Sequence, residues 1–127
     1  MPKQKFELEY PLRSSNKVLF NSLSTPDGLS EWFADDVDIK NGIFIFKWDG
    51  TEERAKMIAK KPYESVKFQW DRDDVDENTI FEFNIKTDAI TNEVALIVTD
   101  FADEEDVEES KFLWNNQIGT LKQKLGA

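Results

Sequence analysis

Carboxylates are the residues in this chain whose type and spacing come nearest to a chemical site. In DRDDVDENTIFE, Asp71, Asp73 and Glu82 fall at the first, third and twelfth positions of a calcium-binding loop. The fifth position is Val75, which offers no oxygen, and the sixth is Asp76, where the sharp turn requires Gly. The stretch therefore reads as a charged hairpin tip, and no metal site is expected. A second run, DFADEEDVEES, gathers Asp100, Asp103, Glu104, Glu105, Asp106, Glu108 and Glu109 at the start of a helix. Negative charge there matches the helix dipole and keeps the surface solvated, with a basic protein partner as the alternative use. Acid/base chemistry by paired carboxylates needs a defined separation and one raised pKa, and sequence shows neither.

Two absences restrict the chemistry further. Without Cys there is no thiol nucleophile, redox pair, disulfide framework or ordinary structural zinc site. Without His there is no Ser-His-Asp arrangement, no imidazole metal ligand and none of the commonest general base. Gly28, Gly42, Gly50, Gly119 and Gly126 are too far apart to form a phosphate-cradling loop. No catalytic residue and no cofactor is expected.

The 127 residues suffice for one domain, residues 1–127, with a core that needs no staples, and 39% apolar with 13% aromatic residues can fill it. A net charge of −10 opposes nucleic acid and anionic lipid surfaces. The opening MPKQKFELEYPL lacks the apolar stretch of a signal peptide, and no run approaches the ~20 apolar residues of a membrane span. The expectation is a cytoplasmic protein without membrane insertion.

The elements that would position any site follow from the apolar period. In KFELEY, Phe6, Leu8 and Tyr10 alternate with Glu7 and Glu9, which predicts a half-buried strand ending near Pro11. SSNKVLFNSL offers Ser caps and Leu19, Phe20 and Leu23 at helical spacing. STPDGLSEWF starts a second short helix, with Thr25 as cap, Pro26 at the first position, and Leu29, Trp32 and Phe33 on one face; Gly28 weakens it. Six further strands follow in DVDIK, GIFIFKW, TEERAKMIAK, YESVKFQW, NTIFEFNIK and NEVALIVTDF, and their short connections predict an antiparallel meander with one apolar face. From about Asp106 to Leu125 a long helix carries Val107, Trp114, Ile118, Leu121 and Leu125 in one stripe. Phe112 lies almost opposite Trp114, which suggests a dimer contact or a contact with the sheet rim.

This α+β order, β-α-α-β6-α, resembles the START-like (SRPBCC) helix-grip superfamily over essentially the whole chain. STPDGLSEWF and LWNNQIGTLKQKL are similar to the corresponding helices of the branch named after the activator of the heat-shock protein 90 ATPase. The resemblance implies a curved antiparallel seven-stranded sheet wrapped around the long C-terminal helix, with a hydrophobic cavity between them for lipid-like or other apolar molecules. Trp32 and Phe33 would plug one end of the concavity. The residues expected to line the cavity are Trp32, Phe44, Phe46, Trp48, Met57, Phe68, Trp70, Phe81, Phe83, Leu96, Val98, Trp114 and Ile118.

So many rings could equally fill the concavity as plain core. Tyr63, Gln69, Asn84 and Asn115 are the polar groups that could face a ligand, or they are ordinary surface and turn residues. Three functions remain open. The first is binding of a hydrophobic or amphipathic small molecule without catalysis. The second is a protein-interaction or co-chaperone-like module with a filled core, and the third a cyclase or hydrolase.

Overall fold

The computed structural model describes residues 3–71 and 79–126. Asp73, Val75 and Asp76 of the calcium-like stretch lie outside them. The strands are β1 (Lys3–Leu12), β2 (Asp36–Lys40), β3 (Ile43–Trp48), β4 (Thr51–Lys61), β5 (Ser65–Trp70), β6 (Ile80–Thr87) and β7 (Val94–Asp103). Helices α1 (Asn16–Ser24) and α2 (Pro26–Leu29) follow β1, and α3 (Val107–Leu125) closes the chain after a short 3-10 turn. All seven strands form one antiparallel sheet in the order β1-β7-β6-β5-β4-β3-β2. This is the α+β helix-grip arrangement that the sequence leads one to expect.

Local chemistry sets each boundary. Ser15 accepts from the Val18 N–H and caps α1, and Thr25 accepts from the Gly28 N–H and caps α2, with Pro26 in its first turn. Asn41 and Gly42 both have positive φ, as a two-residue hairpin turn between β2 and β3 requires. β1 runs through Pro11 to Leu12 instead of stopping at the proline. It is an edge strand paired only with β7, so the missing N–H removes no obligatory ladder bond. The second short helix is also shorter than expected. Regular helix stops at Leu29, and turns carry the chain on, with the Phe33 N–H still reaching the Leu29 carbonyl at 2.8 Å.

Gly28 has a role beyond weakening this helix. A Cβ there would overlap the Asn21 carbonyl oxygen and stand 2.7 Å from Ser22 Cα, so only glycine lets α2 lie directly against α1. That close approach delivers Trp32 and Phe33 to the sheet.

Register puts one side-chain set on the helix-facing side of the sheet. Phe44 pairs with Ala55, Met57 with Phe68, Phe68 with Phe81, and Phe83 with Val98, and these residues form or pack against the buried core. Phe44 and Phe46 belong to that core, whereas Ile45 is buried outside it, beside Asp38 and Arg54 of the flanking strands. A register shift between Met57 and Ala59 turns β4, leaving Ile58 exposed and placing Lys60 opposite Val66, where its ammonium stands over the Phe20 ring. α3 buries Trp114, Ile118 and Leu121 against this face, and Gly126 in the left-handed conformation ends it.

Candidate functional site: an aromatic groove between the sheet and the last helix

Phe33 is the hub on which the site is built. Its ring stacks on Phe81 at 5.5 Å between centroids and meets the rings of Trp32, Phe46, Trp48 and Trp114 at 5.4, 5.1, 5.7 and 5.8 Å. Its carbonyl accepts two hydrogen bonds, from Trp48 Nε1 and from Gln117 Nε2, each 2.9 Å. One backbone oxygen thus ties β3 to α3. Trp114 Nε1 donates to Asp100 Oδ2 at 2.8 Å, and the Tyr10 hydroxyl donates to Asn115 Oδ1 at 2.6 Å, so α3 is also tied to β7 and β1. Burial raises the Tyr10 pKa above its ordinary value of 10.0 and keeps the phenol a donor.

Beside this hub lies an open groove of about 600 Å³, lined by Phe33, Trp48, Thr51, Glu53, Trp70, Asp100, Ser110, Leu113, Trp114, Asn116 and Gln117. One wall is α3, the other the ends of β3, β4 and β5. The volume is ordinary for a small-molecule site, and the mostly apolar lining with a few polar groups is the usual composition.

The structure divides the residues expected to line a cavity into two groups. Trp48, Trp70 and Trp114 come together in the groove. Phe44, Phe46, Phe68, Phe81, Phe83, Leu96, Val98 and Ile118 lie behind it in the packed interior, where Phe68 and Phe81 stack at 4.9 Å. Met57 packs partly buried at the edge of that interior, and Trp32 is buried at its end, touching Phe83 and donating to the Ser22 carbonyl at 2.8 Å. Of the polar residues considered, Asn115 holds Tyr10, and Tyr63 sits exposed in a turn with its ring edge on Phe20.

Spacing held signals for groove residues outside the expected set. Ser110, Leu113 and Gln117 fall at i, i+3 and i+7 on α3, on the face of the expected Trp114 at i+4. Thr51 and Glu53 continue the inward parity of Ala55 on β4, and Asp100 continues that of Leu96 and Val98 on β7. A carboxylate on the apolar face of a strand breaks the binary pattern, as functional or strained positions do. The acidic run thereby splits. Asp100 turns into the groove, while Asp103, Glu105 and Asp106 bring their oxygens within 4.8 Å of one another at the corner before α3, where the helix dipole favours negative charge.

A curved antiparallel sheet holding a long terminal helix defines the helix-grip fold. The family model for START-like superfamily domains matches residues 1–127, and the chain belongs to that superfamily. Protein BfR322 from Bacteroides fragilis, solved by solution NMR, is 32% identical, with 98% of this chain and 92% of that one covered and a TM-score of 0.69. The Aha1 dimer from Colwellia psychrerythraea shares the fold at 18% identity, with 96% of each chain covered and a TM-score of 0.79. DynU16, from the dynemicin biosynthetic locus, does so at 15% identity and a TM-score of 0.79, with 99% of this chain and 48% of that one covered. No curated protein matched the chain. Among the described residues no helix is long and apolar enough to cross a membrane.

Proposed function

We propose that this chain is a single START-like domain that binds a hydrophobic or amphipathic small molecule in the groove between the sheet and α3, without chemistry on it. The observation that carries this reading is the groove itself, about 600 Å³ walled by Phe33, Trp48, Trp70, Leu113 and Trp114. Covering these walls stabilises a complex by ~25 cal/mol per Å² of apolar surface removed from water, and an eight-carbon chain supplies ~0.8 kcal/mol for each methylene buried. The packed interior behind the groove sets its depth, so the ligand lies along the mouth and does not penetrate the sheet's concavity. A chain without His or Cys has neither an imidazole base nor a thiol to offer, which supports binding over catalysis. The reading places the protein in the cytoplasm, where a chain without disulfides is usual.

Native mass spectrometry of gently purified protein tests it, followed by organic extraction of whatever leaves on denaturation. The expected result is a discrete adduct above the 14.8 kDa chain, lost in a folded Trp70→Ala variant. A clean mass, together with no saturable binding of short-chain amphiphiles at the groove, would overturn the proposal.

A second reading, self-association, is favoured by two observations. Phe112 is 63% exposed on the outward side of α3 with Leu113 beside it, and the similar Aha1 protein was solved as a dimer. Sedimentation that shows only monomer at high concentration would remove it.

A further inference from the structure

A further cavity of about 650 Å³ lies between α1 and the β4–β5 turn and reaches the last turn of α3; it shares no described lining residue with the groove. In a chain with 26 acidic residues, its described lining carries no carboxylate and two ammonium groups, those of Lys17 and Lys60. Neither has an ion-pair partner among the described residues, and the Lys60 ammonium stands 5.9 Å from the centroid of the Phe20 ring. Glu64, beside the turn residue Tyr63, is held by Lys61 at 3.3 Å. The hydroxyls of Ser22, Ser24 and Thr25 donate back to α1 carbonyls. The side chains of Asn21 and Tyr63 hold no hydrogen bond to a described residue. The uncommitted groups on this lining are therefore two ammoniums, which only donate, with an amide and a phenol that can donate beside them.

The walls between these donors are apolar. Val18 and Tyr63 are 51% and 46% exposed, with Pro62 and Leu125 on the same lining. Tyr63 has a φ of 65°, which a bulky residue takes only where its surroundings hold it there, and its ring meets Phe20 edge-on at 5.8 Å. Backbone outliers of this kind cluster at ligand-binding positions. We propose that this cavity is a ligand site separate from the groove, and that it takes a small ionised carboxylic acid with an apolar body. The carboxylate meets Lys17 and Lys60, with the Asn21 amide as a further donor, and the body lies on Val18, Tyr63 and Leu125. The formal charge of −10 repels anions at long range. Salt screens that field beyond ~8 Å at physiological strength, whereas the two ammoniums act at contact.

The test follows amide signals by heteronuclear NMR during titration with octanoate and with octanamide, its neutral counterpart of the same shape. Octanoate should shift the Asn21 side-chain signal and the backbone signals of Val18 and Tyr63 saturably, with an affinity ~10-fold above that of octanamide, because two exposed ion pairs together are worth about that ratio. Lys17→Gln and Lys60→Gln should each weaken octanoate by ~3-fold and the double variant by ~10-fold, with octanamide unchanged. Both positions are exposed, so the fold is kept. Lys5→Gln, an equal change of charge at an exposed position on β1, should leave octanoate binding as it was.

Equal affinity for the two probes at the cavity signals, or a loss with Lys5→Gln as large as with Lys17→Gln and Lys60→Gln, would overturn the pairing of a carboxylate with these two lysines. No saturable shift of the cavity signals with either probe would overturn the site itself. Octanoate shifts confined to the indole signals of Trp48, Trp70 and Trp114 would also overturn it, while supporting the groove.

Discussion

Gly28 and Gly119 are both helical glycines, and the structure predicts opposite responses to the same substitution. In an open helix Ala is favoured over Gly by ~0.5–1 kcal/mol. Gly119 lies exposed on α3 with nothing within 4 Å of the place a methyl group would take, so Gly119→Ala should gain that amount. Gly28→Ala sets the same gain against an overlap with the Asn21 carbonyl oxygen and a 2.7 Å approach to Ser22 Cα, both backbone atoms that no rotamer change can move.

To admit the methyl group α1 must lift away from α2, which loosens the burial of Leu19 and Leu23. Overpacking of this kind costs ~1–3 kcal/mol, and partial exposure of two leucines adds to it, so the net destabilisation should be ~2 kcal/mol. For a chain of this length that corresponds to a Tm lower by ~6–10 °C, against a rise of ~2–4 °C for Gly119→Ala. Urea unfolding monitored by tryptophan fluorescence measures both. Because Gly28 sets where Phe33 arrives, near-ultraviolet circular dichroism should also change in Gly28→Ala and stay unchanged in Gly119→Ala. A Gly28→Ala protein as stable as the unmodified one would refute the close-approach argument.

Three further outcomes follow from the ties around the groove and from one turn. Gln117→Met removes one of the two donors to the Phe33 carbonyl while keeping side-chain length; unfolding free energy should fall by ~0.5–1.5 kcal/mol, and hydrogen exchange along α3 should quicken. Tyr10 has its folded pKa raised above 10.0 by burial, so its contribution is complete below that pH and is lost as pH rises through the folded value. Tyr10→Phe should therefore flatten the alkaline decline in Tm above pH 10. Asp88 accepts from the N–H groups of Thr91 and Ile90, which hold its pKa below the ordinary 3.8. Its contribution is present above that value and lost as pH falls through the folded one, so the Tm difference between Asp88→Ala and the unmodified protein should shrink in acid.

The fold was legible because period and punctuation agreed. Phe81, Phe83 and Ile85 alternate with polar residues, Asn41-Gly42 marks a hairpin, and Thr25-Pro26 marks a helix start. Parity assigned side chains to a face but could not say whether rings from opposite strands and from α3 would meet. Here Phe46, Phe68 and Phe81 interlock, and Phe33 enters from a turn whose position depends on a backbone contact at Gly28 that no pattern announces. Glu53 and Asp100 were visible as acidic residues, yet their meaning depends on register. Glu53 faces inward because it pairs with Phe46, and Asp100 because it pairs with Phe6.

The same filling means that the binding proposed for the groove needs no lid. In a hollow helix-grip domain a ligand replaces solvent deep in the concavity, and a helix or loop must move to admit it. Here phenylalanines occupy that depth, and the tryptophans stand at the mouth with two of their N–H groups already bonded to the protein. On the proposed reading the groove surface is largely preorganised, so little ordering would oppose association with a small molecule. An open mouth would also give the proposed ligand fast entry and, where one apolar face holds it, fast exit. Rapid exchange of groove tryptophan signals during titration, with no slow closing step, is the kinetic signature this architecture requires; a slow phase independent of ligand concentration would mean that α3 moves after all.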